Sequence, residues 1–206
     1  PIAVGAAQGL RLLGSDAIVA CFFGDGAINR GPFLEGLNWA ALYNLPVLFV
    51  CEDNGVAAFT RAESVTAGPG IAARADSLGV PASSVDGNDA AAVDAAAARL
   101  VAEIRGGAGP RLLHARTYRL MGHTSTDPAA WRDPAEVAAA REDEPLARLR
   151  ARLLEEGVPA KALDALEGDA RAEMQEARTT ALAAPWPDPA IAWDDVQDAG
   201  AVTETA

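Results

Sequence analysis

The chain has 206 residues and a formal charge of −12; half of its residues are apolar and two are cysteines. That length fills one good core with an appendage, and the acidity argues against nucleic acid or an anionic membrane surface as partner. No apolar run approaches the roughly 20 residues of a membrane span, and the sequence opens on no basic stretch followed by an apolar one, so a cytoplasmic protein is expected.

Residues 1–13 read as an Ala/Gly-rich helix whose small side chains suit close contact with a surface outside this sequence. Residues 17–23 form a short apolar run, 33–44 are long enough for one amphipathic helix, and 46–51 form a second apolar run. Cys21 and Cys51 close these strand patterns, where buried thiols are expected rather than a disulfide. Residues 60–70 are loop-like and 71–78 suit a short helix. A strand is expected at 80–85, a helix at 88–105, a turn at 106–109 and another parallel strand at 110–116. A long polar loop follows at 117–128. From residue 133 the apolar period becomes helical, with helices expected at 134–141, 145–156 and 159–184, the last opened by a proline. The tail from residue 185 is expected to be extended and partly disordered. Charge divides along the same line: residues 1–132 hold 12 acids against 10 bases, and 133–206 hold 17 against 7. The expected organisation is thus an α/β domain at 1–132, a helical extension at 133–184 and a tail at 185–206.

The most informative pattern is Gly24-Asp25-Gly26 after the first apolar run, answered by Asp53-Asn54 after the second. Strand, turn, helix, strand, turn is a βαβ unit, whose crossover places both turns at the carboxyl edge of a parallel sheet, where such sheets bind ligands. A carboxylate from one turn and an amide oxygen from the next make a hard-oxygen site, suited to magnesium that takes further ligands from phosphate. The flanking glycines let bare amides approach an anion. The first turn carries neither Gly-x-Gly-x-x-Gly nor Gly-x-x-x-x-Gly-Lys-Ser/Thr, which disfavours a plain nucleotide-binding protein.

With this spacing the chain resembles the thiamine-diphosphate enzymes, whose motif is Gly-Asp-Gly followed by an Asn pair. The first Asn of that pair is Asp53 here. The second, which the family uses on its metal, is retained as Asn54. A second block, Thr117-Tyr118-Arg119 followed by Gly122-His123-Thr124-Ser125-Thr126-Asp127-Pro128 and Trp131-Arg132, resembles one branch of that family. The branch is the alpha subunit of the two-subunit 2-oxo acid dehydrogenases, the first component of the pyruvate, branched-chain and acetoin complexes. Asn29, Gly31, Glu35 and Glu52 agree with it.

The resemblance implies a parallel sheet flanked by helices, the thiamine-diphosphate-binding fold, with a helical C-terminal extension. It implies oxidative decarboxylation of a 2-oxo acid with acyl transfer to a lipoyl group. Magnesium would be held by Asp25, Asn54 and the carbonyl of Val56. The cofactor diphosphate would meet Gly24, Asp25, Gly26, Ala27, Asn29, Asn54 and His123, and His123 would face the reacting end. His114 is expected to pack or hydrogen-bond within the sheet. The expected partners are a beta subunit in a heterotetramer, a lipoyl-bearing acyltransferase, and an N-terminal alpha segment ahead of Pro1, on a longer chain or a separate one. The glutamate that activates the cofactor belongs to the beta subunit in this family, so no carboxylate here takes that role. A non-catalytic assembly subunit of such an enzyme is the alternative.

Overall fold

The computed structural model describes residues 1–193. Its sheet has four parallel strands in the order β1-β2-β6-β5, where β1 is Val19–Gly24, β2 Val47–Asp53, β5 Ala82–Asp86 and β6 Arg111–Arg116. The central strand β2 is buried from Val47 through Cys51, the continuous apolar run that a parallel strand covered on both faces requires. β1 lies at an edge and alternates: Val19, Cys21 and Phe23 pack inward, while Ala20 and Phe22 stay exposed.

One face of the sheet is covered by α1 (Ile2–Leu12), α2 (Gly31–Leu42) and α3 (Ile71–Ser77). Val4, Ala7, Leu37, Ala40, Ile71 and Ala75 close there on Val47, Phe49, Cys51 and Leu112. On the other face α4 (Ala90–Arg105) brings Leu100 and Ile104 onto Leu48, Val50 and Leu113. Asp89 caps α4 by accepting from the amides of Ala91 and Ala92 at 3.1 and 3.0 Å, satisfying two of the helix's orphan donors. At the sheet's amino end Asn44, at φ 50°, donates from Nδ2 to the Gly107 carbonyl at 3.1 Å. The two cysteines are free thiols, and burial with the nearby acids Asp53, Asp25 and Glu52 pushes Cys51 up to about 12.

The parallel sheet flanked by helices is the expected fold class, and the strands and helices fall within a few residues of their expected bounds. The segment after Asn54 differs. It holds a two-residue hairpin, β3 (Val56–Ala57) against β4 (Thr60–Arg61), and a 3-10 turn at Ala62–Ser64. Strands this short carry no apolar alternation to read.

The chain divides into two compact units, residues 1–153 and 154 onward. In the first, α5 (Pro134–Glu142) is capped by Asp133, which accepts from Ala135 N at 2.8 Å. α6 (Pro145–Glu155) carries Arg148, whose Nη1 meets Asp86 Oδ2 and Asp143 Oδ1, each at 2.8 Å. This clips α6, at Arg148, to the carboxyl end of β5. In the second unit α7 (Ala160–Ala183) is highly polar and buries only Leu163 among its residues. The tail expected from residue 185 has no regular structure at 185–188 and a 3-10 turn at Pro189–Trp193; residues 194–206 lie outside the described residues. Among the described residues no helix is long and apolar enough to cross a membrane.

Candidate functional site

Gly24 ends β1 in register with Glu52 of β2, so Asp25 and the Asp53-Asn54 pair leave neighbouring strands at the same carboxyl edge. Asp25 opens a 3-10 turn over Asp25–Asn29. Its carboxylate is 3% exposed and Oδ2 has no hydrogen-bond partner. Burial, and then the neighbouring Asp53 carboxylate, raise its pKa above the ordinary value; backbone amides of Asp25 and Asn54 and the Arg119 guanidinium work in the opposite direction. An unpartnered buried carboxylate oxygen is costly, and an arriving cation relieves that cost.

The second turn is rigid. Asp53 Oδ1 accepts Gly55 N–H at 2.9 Å and Asn54 Oδ1 accepts Val56 N–H at 3.1 Å, with Gly55 at φ 72°. The two turns then press together. A Cβ on Gly26 would lie 2.7 Å from the Cβ of Ala57, so packing, and not an unusual backbone angle, calls for glycine there. Asn29, at the far end of the 3-10 turn, is engaged on both sides: Oδ1 accepts from Arg74 Nη1 at 2.6 Å and Nδ2 donates to Thr66 Oγ1 at 3.0 Å.

His123 arrives on the loop after β6. That loop is anchored where Thr117 N donates to the Asp53 carbonyl at 2.8 Å and Thr117 Oγ1 donates to Asn88 Oδ1 at 2.7 Å. Asp127 closes it by accepting from the amides of His123 and Ala129 at 2.7 and 2.8 Å. A Cβ on Gly122 would run into the Asp127 carbonyl. Arg132, 7% exposed, donates to the Arg119 carbonyl and lies over the rings of Tyr118 and Trp131. The exposed imidazole of His123 meets the edge of Phe59 at a centroid distance of 5.9 Å.

Asp25, Gly26, Asn54 and Val56 are thereby brought to one edge, with Ala27 on the same turn. His123 stands on a separate wall formed with Phe59. Arg119, whose role the sequence reading missed, joins the two parts. It donates from Nη2 to the Ala58 carbonyl at 2.8 Å, lies 3.2 Å from His123 Nδ1 through Nη1, and keeps a buried Nε without a partner. Only its place in the Tyr-Arg pair signalled it. A cleft of about 360 Å3 runs from this edge down the α4 face of the sheet, with Asn54, Tyr118 and Arg119 at its mouth and Phe22, Val50 and Leu113 below. His114 is hydrogen-bonded in the sheet, as expected from its strand position.

The donor set is one carboxylate with neutral amide and carbonyl oxygens, and no cluster of three or more His, Cys, Asp or Glu side chains suited to a metal occurs among the described residues. One carboxylate among neutral oxygens fits a hard divalent cation that completes its shell from a bound phosphate. The model of one protein family, described as the dehydrogenase E1 component, matches residues 1–190. The chain belongs to the dehydrogenase E1 component family.

Within this family the chain is similar to the pyruvate dehydrogenase E1 component subunit alpha of Zymomonas mobilis subsp. mobilis: 38% identical over 188 residues, covering 91% of this chain and 53% of that one. The alpha subunit of acetoin:2,6-dichlorophenolindophenol oxidoreductase from Cupriavidus necator is 37% identical over 198 residues, covering 95% and 60%. The alpha subunit of 3-methyl-2-oxobutanoate dehydrogenase from Mycobacterium tuberculosis is 38% identical over 163 residues, covering 79% and 44%. The chain thus spans about half the length of these E1 relatives. All three are alpha subunits, as the two sequence blocks imply, and they differ in the substrate that they are named for.

Proposed function

We propose that this chain is the diphosphate- and magnesium-binding portion of the alpha subunit of a thiamine-diphosphate-dependent enzyme that oxidatively decarboxylates a 2-oxo acid and passes the acyl group to a lipoyl arm. The observation that carries this reading is the buried Asp25 carboxylate, whose Oδ2 has no partner, beside the Asn54 turn, in a chain of the E1 family. Asp25, the side-chain oxygen of Asn54 and the carbonyl of Val56 would hold magnesium. The amides at Gly24, Gly26 and Ala27 would meet the diphosphate. Asn29 would add the second N–H of its amide, beyond the one given to Thr66.

Thiamine diphosphate, when bound, supplies the electron sink that loss of carbon dioxide requires. The chain's own residues position it and handle charge. Arg119 brings a guanidinium with an unsatisfied Nε toward the anionic end. It can only donate, so where it bonds His123 Nδ1 the ring proton sits on Nε2. His123 then offers that proton to the substrate's oxygen atoms as they gain charge. Phe59 and Trp131, 6.4 Å apart edge to face, form an apolar wall beside it.

In this role the protein works in the cytoplasm, paired with a beta subunit in a heterotetramer and served by a lipoyl-bearing acyltransferase. The assembled protein should release carbon dioxide from pyruvate or from a branched-chain 2-oxo acid, with a strict need for thiamine diphosphate and magnesium. Turnover that persists after both are removed would overturn it.

A further inference from the structure

Asp53 is a second acid, at the carboxyl end of β2, placed near the only carboxylate that the proposed metal site uses. Asp25 registers it: after burial, Asp53 is the next cause of its raised pKa. A second negative charge at this edge would disfavour a diphosphate. Asp53 is, however, firmly held. Its Oδ2 lies 2.7 Å from His114 Nε2, and the opposite ring nitrogen of His114 lies 3.1 Å from Ser84 Oγ.

These three side chains run across three adjacent strands on the face covered by α1–α3. Cys51 pairs with His114, and His114 pairs with Ser84, so the imidazole reaches diagonally from the level of Cys51 to the strand end. Its hydrogen bond is the first cause of the lowered pKa of Asp53. With Oδ2 taken by the imidazole and Oδ1 by Gly55 N–H, both oxygens of Asp53 have donors, while Asp25 Oδ2 has none. One acid is thus committed to the fold and the other is left for a ligand.

We propose that His114 is a positioning residue for the metal–diphosphate site: by holding Asp53 Oδ2 it keeps the second carboxylate tied to the sheet. This rests on the reading of the site in the preceding subsection. Without the imidazole, Asp53 loses one of its two donors and is free to rotate toward the diphosphate. Repulsion between like charges a few ångströms apart at a partly buried site weakens binding by roughly tenfold or more. The role exists only because residue 53 is an acid, and this makes it separable from simple packing.

The test is calorimetric titration of the full chain, assembled with the partners it co-purifies with, using thiamine diphosphate at saturating magnesium. His114→Leu should bind roughly tenfold more weakly than wild type, His114→Gln should stay near wild type because it can still donate to Asp53, and Asp53→Asn/His114→Leu should regain wild-type affinity. Wild-type affinity in His114→Leu would overturn this inference and leave the proposed function standing. A wild-type protein that does not bind the cofactor would overturn both. If His114→Leu does not fold, the double variant decides. Wild-type affinity there supports the role, and tenfold weaker binding shows that His114 acts independently of Asp53 and overturns it.

Discussion

Arg119 and His123 meet through Nη1 and Nδ1 at 3.2 Å, so the imidazole turns Nε2 outward, beside Phe59. A second nitrogen of Arg119 is fixed on the Ala58 carbonyl, which ties the loop after β6 to the hairpin after β2. Orientation of the proposed proton donor therefore depends on two segments that are remote in sequence.

His123→Ala should lower turnover with a lipoyl acceptor by roughly ten-fold to ten-thousand-fold, the span of a positioned acid or base. Arg119→Met should lower it less, and the double variant should be no worse than His123→Ala alone, since both remove one unit of function. Turnover at saturating cofactor checks this. Additive losses would separate the two residues.

Asp25 links metal-free stability to pH. Its pKa is raised in the folded state, so the folded protein holds this proton at pH values where the unfolded chain has released it. Stability from this group is therefore present at low pH and is lost as pH rises through the folded pKa. Relative to Asp25→Asn, the metal-free wild type should grow less stable from about pH 4 upward, until magnesium is added. Denaturant melts of both proteins across that range measure the difference. A constant gap, or one that shrinks with rising pH, contradicts the burial of an unpartnered carboxylate.

Gly26→Ala should place a methyl 2.7 Å from the Ala57 Cβ and destabilise the protein by about 1–3 kcal/mol, the usual cost of overpacking. Asp25 and the Asn54 turn shift apart in that variant, so cofactor affinity falls with stability. Ala57→Gly added to it should recover both, because it removes the clashing atom. Failure of the second substitution to restore the first would show that the contact with Ala57 is not what limits residue 26.

Arg148→Met should free α6 from Asp86 and Asp143. These ion pairs are partly exposed and therefore screened by salt, so high salt should mimic the substitution in part. Limited proteolysis within residues 133–153 should accelerate in the variant, with the sheet left intact. Equal cleavage rates at both salt levels would remove Arg148 as the clip.

What was legible in the sequence follows from period and punctuation. The apolar run of β2 read directly, because a buried parallel strand is continuous; the glycines of Gly24-Asp25-Gly26 marked the turn, although Gly24 is extended at φ −86° and Gly26 is required by its contact with Ala57. Pro159 marked the start of α7, just ahead of Ala160. The hairpin at Val56–Arg61 left no such trace, since two residues per strand carry no period. Arg119 was visible as a motif member and invisible as a bridge, because side-chain reach across segments is a tertiary fact. The Asp53–His114 contact depends on the register that sets His114 opposite Cys51, which no local pattern specifies.

The most direct measurement is calorimetric titration of the assembled protein with thiamine diphosphate and magnesium, wild type against Asp25→Ala. Asp25 is the only acid of the proposed metal shell, so its removal should abolish magnesium-dependent binding while the fold, followed by its thermal melt, persists. Magnesium-dependent affinity in Asp25→Ala equal to that of the wild type would contradict the account.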